Sequence, residues 1–195
     1  MIRLERDTHG RTYQIWQQQQ ENSCGVACTW MARGIARQAS FAEDEWDLAV
    51  RMYLGAVAGT LGRLGVSPSG PMSLDPRAYP SDQTTMANTL ASFGLYGAQV
   101  ATGLRNEGLT VTHTTLSGTP PKIRHEKIAY NKPAIVLVGW DGGGGHFLVV
   151  GRCTVHDVSF LDPWNGHVNQ QSNNGRYLAQ YNNSGSILEI IYISA

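Results

Sequence analysis

The chain has 195 residues, 42% of them hydrophobic and 15% charged. That suits one compact domain able to bury a core without disulfides or metals, and it excludes the disordered and membrane-embedded classes. Fifteen Lys plus Arg balance fifteen Asp plus Glu, so no net field draws the protein toward nucleic acid or anionic lipid. Three cysteines, Cys24, Cys28 and Cys153, are too few and odd in number for a disulfide framework and read as reduced thiols, at least one of them there for chemistry.

The N-terminus, MIRLERDTHGRTYQ, carries charges throughout and reads as neither a signal peptide nor an anchor. No window approaches the roughly 18 apolar residues of a spanning helix. The polar stretch from Thr12 to Ser23 reads as a loop leading into a helix that begins almost on Cys24, because Ala27, Trp30, Met31, Gly34 and Ile35 fall at spacings of three and four. Ser40 with Glu43 has the form of a capping box for a second helix through Trp46, Leu48, Ala49, Met52 and Tyr53. Residues 55–80 are rich in Gly and Pro and predict a long surface excursion. Ser81 or Asp82 then caps a third helix through Met86, Leu90 and Phe93, closed by Gly94.

From Tyr96 the period changes. Ala98 with Val100, and Leu109 with Val111, read as short strands, and Thr119 with Pro120 opens a helix through Tyr130. Apolar runs at 134–140, 147–150, 155–161 and 187–193 predict four further strands separated by Gly, Asn and Asp clusters. Helices first and an antiparallel sheet second give an α+β class.

A thiol at a helix start has its anion favoured by the helix dipole and the unpaired first-turn N–H groups, which singles out Cys24. A nucleophilic thiol needs a base, and His146, at the start of a strand and after the run Gly142 to Gly145, is the best placed histidine. If the strands 147–152 and 156–161 pair about a turn near Thr154 and Val155, His146 lies opposite Asp162 or Pro163, so backbone pairing alone brings the Asp162 carboxylate beside the imidazole. Asp157, in the turn, is a strand length away.

Gln18-x5-Cys24-Gly25-x-Ala27-Cys28, then Gly145-His146-Phe147, then Leu161-Asp162-Pro163 with Gly166 resemble the bacteriocin-processing, double-glycine leader peptidases of the papain-like superfamily. These motifs cover about a third of the chain. The resemblance implies a papain-like fold with the nucleophile at a helix start against a C-terminal antiparallel sheet. It also implies an oxyanion donated to by the Gln18 amide and the Cys24 N–H, and cleavage after two small residues such as Gly-Gly, with Trp30 and Trp164 available to wall a narrow channel. Two features depart from that family: about 120 residues separate Cys24 from His146, more than is usual there, and no transporter follows. Gln18 is flanked by Gln17 and Gln19, so a slip of one would change its assignment. Free-standing bacterial effector domains share the resemblance, which implies either a cytoplasmic processing role or delivery by a dedicated secretion system, with a cognate immunity protein as a partner beside the protein or peptide substrate.

Other chemistries are weaker. Cys28 falls four residues after Cys24, but a lone C-x-x-x-C pair is not a zinc pattern and Cys28 reads as core. His113, His125, His156 and His167 lack ligand spacing and read as surface residues. The Gly142 to Gly145 run lacks the Lys-Ser/Thr of a phosphate loop and reads as a mobile rim beside His146. No cofactor, metal, nucleic acid or membrane is expected. The same four groups would serve a deamidase or transglutaminase, and a peptide-binding domain that has lost its nucleophile is the non-enzymatic alternative.

Overall fold

A computed structural model of the chain describes residues 1–45, 47–52, 95–116, 122–179 and 183–195. The first element is a hairpin that the sequence reading missed. Strand β1 (Ile2–Arg6) pairs antiparallel with β2 (Thr12–Trp16). The turn between them is held by the Asp7 carboxylate, which accepts the N–H groups of His9 and Arg11 and the Tyr13 hydroxyl. Tyr13 and Ile15 are buried while Thr12 and Gln14 are exposed, the alternation of a half-buried strand. Only residues 17–23, after Trp16, belong to the expected loop.

Helix α1 (Cys24–Arg37) starts on the expected residue and is buried on every side from Gly25 to Arg33, with Ala36 the last buried position. It ends where Gln38 adopts φ 51° and returns its N–H to the Gly34 and Ile35 carbonyls. Trp30 meets Trp16 edge-on with ring centroids 4.9 Å apart, locking the hairpin to the helix.

A second helix, α2, is described at 45 and 47–52. Its cap differs from the expected one. The Asp44 carboxylate accepts the Asp47 N–H at 2.7 Å, whereas the Ser40 hydroxyl turns away to Gln14 and Glu43 pairs with Arg33 and Arg51. The anchor that decides this is Arg33, 2% exposed, which gathers Glu43 and Glu107 at the junction of the helices. Trp46, Tyr53, the 55–80 excursion and the expected third helix lie outside the described residues.

Helix α3 (Gly97–Asn106) replaces the short strand expected at Ala98 and Val100. The Gln99 side chain accepts the Tyr96 N–H at 2.8 Å, and Val100, Ala101 and Leu104 form a buried stripe against α1. Helical spacing therefore outweighs the β-branched residue. Strand β3 (Thr110–Thr115) follows as expected. The described part of the expected helix through Tyr130 contains only a 3-10 turn at His125–Lys127. Ile123, buried, is clamped in extended form by Asn173, whose side chain bonds both its N–H and its carbonyl.

The remaining strands are β4 (Ala134–Trp140), β5 (Gly145–Cys153), β6 (Asp157–Asp162), β7 (His167–Ser172), β8 (Arg176–Leu178) and β9 (Ser184–Ser194). All pairings are antiparallel, in the order β3-β9-β4-β5-β6-β7, with β8 also on β9. Four of these strands cover the expected apolar runs; β7 and β8 are too polar to have announced themselves. One face of the sheet buries Ile135, Phe147, Val149 and Leu161 beneath α1 and α3. The other buries Leu148, Val150, Phe160 and Tyr177. The class is α+β with a large antiparallel sheet. Among the described residues no helix is long and apolar enough to cross a membrane.

Candidate functional site

Cys24 is the first residue of α1, so its own N–H is one of the four that a helix leaves without an internal partner. The loop in front of it is tied down at several points. The Gln18 N–H reaches the Pro163 carbonyl at 2.8 Å, the buried Glu45 carboxylate accepts the Gln19 N–H at 3.0 Å, and the Ser23 hydroxyl bonds the Gln20 backbone. The first of these bonds places the approach to Cys24 directly beside the Asp162-Pro163 step.

The β5–β6 register differs from the expected one. A shift between Val150 and Arg152 leaves Val149 facing Leu161, so His146 lies beyond Asp162 and Pro163 on the ladder, and the Asp162 side chain reaches it diagonally. The His146 Nε2–H donates to Asp162 Oδ1 at 2.8 Å. Both side chains are buried, 6% and 3% exposed. The Cys24 thiol lies close enough to the same imidazole to raise its pKa, and because Nε2 is committed to Asp162, Nδ1 is the ring nitrogen available to the sulfur.

The electrostatics follow from this geometry. Burial alone would lower the His146 pKa, but the hydrogen bonds to Asp162 and Cys24 and the charges on both raise it to about 9. Burial also opposes the ionised form of Asp162, yet the bonds from His146, Tyr177 and the Trp164 N–H hold its carboxyl below the ordinary value. The other two thiols are unsuited to nucleophilic work. Cys28 is fully buried, and its pKa is raised by burial, while burial pushes that of Cys153 up to about 12.

A cleft of about 740 Å³ opens over Cys24 and His146. Its walls are largely apolar, from Leu95, Tyr96, Leu137, Trp140, Trp164 and Leu188, with Glu21, Asn22, Asn165 and Asn183 as polar groups. Trp140 stacks on the imidazole with centroids 5.8 Å apart and planes at 16°. Trp164 meets the ring edge-on at 6.3 Å. The expected wall residue Trp30 is instead 1% exposed in the core, held there by Trp16.

Gln18 occupies a different position from the other three. Its Nε2 donates to the Gln20 and Glu21 carbonyls at 2.8 and 2.9 Å, and it is not among the residues lining the cleft. Its Oε1 is buried with no hydrogen-bond partner among the described residues. The Gly142 to Gly145 run closes the β4–β5 hairpin, with Gly143 and Gly144 at φ 93° and 84°, backbone conformations that explain the glycines without any ligand. His113, expected at the surface, is half-buried and bonded to Glu189 at 2.6 Å.

The sequence reading missed two side chains at this site. Trp140 had a usable signal, since Val138 pairs with His146 and residue 140 shares the face of 138. Tyr177, which donates to Asp162 Oδ2, comes from a three-residue strand with no apolar pattern. Among the described residues no group of His, Cys, Asp and Glu is arranged to hold a metal ion. Compared with protein-family models and with curated proteins, the chain matches none.

Proposed function

We propose that the protein is a papain-like cysteine peptidase, similar to the double-glycine leader peptidases. The observation that carries this reading is the buried pair His146–Asp162 with the partly exposed Cys24 thiol beside the imidazole, at the floor of an open, apolar cleft. His146 Nδ1 takes the thiol proton, and the sulfur attacks the carbonyl carbon of the scissile peptide. The Cys24 N–H faces the oxyanion, and Gln18 is the second donor that the resemblance assigns; to serve, its amide has to leave the Gln20 and Glu21 carbonyls. As the tetrahedral intermediate collapses, the imidazolium returns its proton to the leaving amine and a thioester remains. Water then attacks the thioester with His146 again as base, and the acid product leaves with the thiol restored. Asp162 fixes the ring so that Nδ1 stays on the sulfur.

Trp140 and Trp164, both in contact with the imidazole and both lining the cleft, are the bulky walls that support a preference for glycines at the scissile bond. The test is mass spectrometry of paired substrates that differ only by Gly-Gly against Gly-Val at the bond. Cleavage confined to Gly-Gly is the expected result, and equal cleavage of both removes the double-glycine reading. A mass gain of one unit on a glutamine side chain, with the chain intact, would identify a deamidase in place of a peptidase.

A further inference from the structure

Two of the donors to the Asp162 carboxylate sit on Oδ1: the His146 Nε2–H and the Trp164 N–H, each at 2.8 Å. Oδ2 is served from β8. The Tyr177 hydroxyl lies 2.7 Å from it, on a side chain with 0% exposure. Asn169 Nδ2, from β7, lies 2.9 Å from the same hydroxyl. The hydroxyl hydrogen has one place to go. The Asn169 amide donates to the phenolic oxygen and an ionised carboxylate only accepts, so the Tyr177 O–H points at Asp162. The ring itself is held by packing, edge-on to Phe160 at 5.1 Å and tilted against Trp140 at 6.1 Å.

We infer that Tyr177 is a positioning residue for the proposed reaction: its hydroxyl, aimed by Asn169, keeps Asp162 ionised and turned so that Oδ1 faces His146. This rests on the peptidase reading. A buried carboxylate with one oxygen lacking a donor is more basic and free to turn about its last bond. The groups bonded to Asp162 are His146 from β5, Tyr177 from β8 and the Trp164 N–H after β6, while the buried Cys28 thiol of α1 feels its charge. Tyr177 is the side chain among them suited to fixing the carboxylate without exchanging a proton with it. Burial, with the Asp162 charge behind it, drives the phenol's own pKa further above its ordinary value.

The test is the rate at which iodoacetamide alkylates Cys24, followed by peptide mass against pH, in the wild type, Tyr177→Phe and Asn169→Ala. No peptide substrate is needed. In Tyr177→Phe the acid limb of the profile is expected to move up by about one pH unit, because Asp162, short of a donor to its charged form, takes up a proton at higher pH and then no longer holds the imidazolium that Cys24 needs. Asn169→Ala should move it the same way by less. A purely structural role would lower the rate at every pH and leave the limb in place; that result overturns the positioning role while the peptidase reading stands. A wild-type profile in which Cys24 reacts no faster below neutral pH than an ordinary thiol overturns both. Should Tyr177→Phe not fold, Asn169→Ala decides: an upward limb supports the role and an unmoved one refutes it.

Discussion

Replacing Asp162 with Asn keeps the shape of the side chain and removes its charge. The Asn Oδ1 can still accept the His146 Nε2–H, so the ring keeps its orientation and the effect is electrostatic. In the wild type, burial lowers the His146 pKa, and the bonds and charges of Asp162 and Cys24 more than offset it, ending at about 9. That is about 2.5 pH units above the ordinary 6.5 and corresponds to about 3 kcal/mol. One hydrogen bond to a charged group contributes about 1.5 kcal/mol or more, which sets the expected size of the Asp162 effect. The basic limb of the kcat/KM profile reports loss of the imidazolium, so Asp162→Asn is expected to move it down by about one pH unit. At neutral pH, still below the shifted limb, kcat/KM should change by less than about twofold, and the loss should approach about tenfold only above about pH 9. The assay is hydrolysis of a Gly-Gly peptide from pH 5 to about 10. A basic limb that stays in place would refute the assignment of Asp162 as the group that holds the imidazolium.

Trp140→Ala removes the ring stacked on His146 and should cost about two- to tenfold in kcat/KM, the range of an exposed to partly buried cation–π contact, with the basic limb moving down; an unchanged profile would show the stack to be incidental. Stability carries the same signature as activity. The native His146 pKa is raised, so its contribution is complete below pH 6.5 and is lost as pH rises through about 9. Urea unfolding of the wild type is therefore expected to weaken over that window by up to about 3 kcal/mol relative to His146→Gln. Arg33→Ala leaves the Glu43 and Glu107 carboxylates without their buried partner and should destabilise by about 3 kcal/mol or more in urea unfolding; a loss below about 1 kcal/mol would mean that Arg51 holds both acids unaided.

The core of the site was legible because it depends on local rules. Cys24 could be placed at a helix start from the apolar spacing that follows it, and the nearness of His146 and Asp162 from the two paired strands that carry them, although the shift between Val150 and Arg152 makes their contact diagonal where a directly opposed pair was expected. What escaped was set by tertiary packing. Helix α3 looked like a strand because Ala98 and Val100 are two apart; its buried stripe runs instead from Val100 through Ala101 to Leu104 and makes sense only against α1. Ser40 had the right letter for a cap, but the Arg33 ion pairs took Glu43 and left the cap to Asp44. Tyr177 sits in three residues, Arg176–Leu178, with nothing in their pattern to say that the phenol ends on Asp162, fifteen positions away.

The most direct measurement is covalent labelling by a peptidyl chloromethyl ketone ending in Gly-Gly, mapped by mass spectrometry with residual hydrolysis followed in parallel. One adduct on Cys24 is expected, with activity falling in proportion to labelling and none formed in Cys24→Ala, while Cys28 and Cys153, both pushed to high pKa by burial, stay unmodified. Full hydrolytic activity in a chain fully labelled at Cys24, or inactivation that tracks modification of Cys153, would contradict a peptidase built on Cys24.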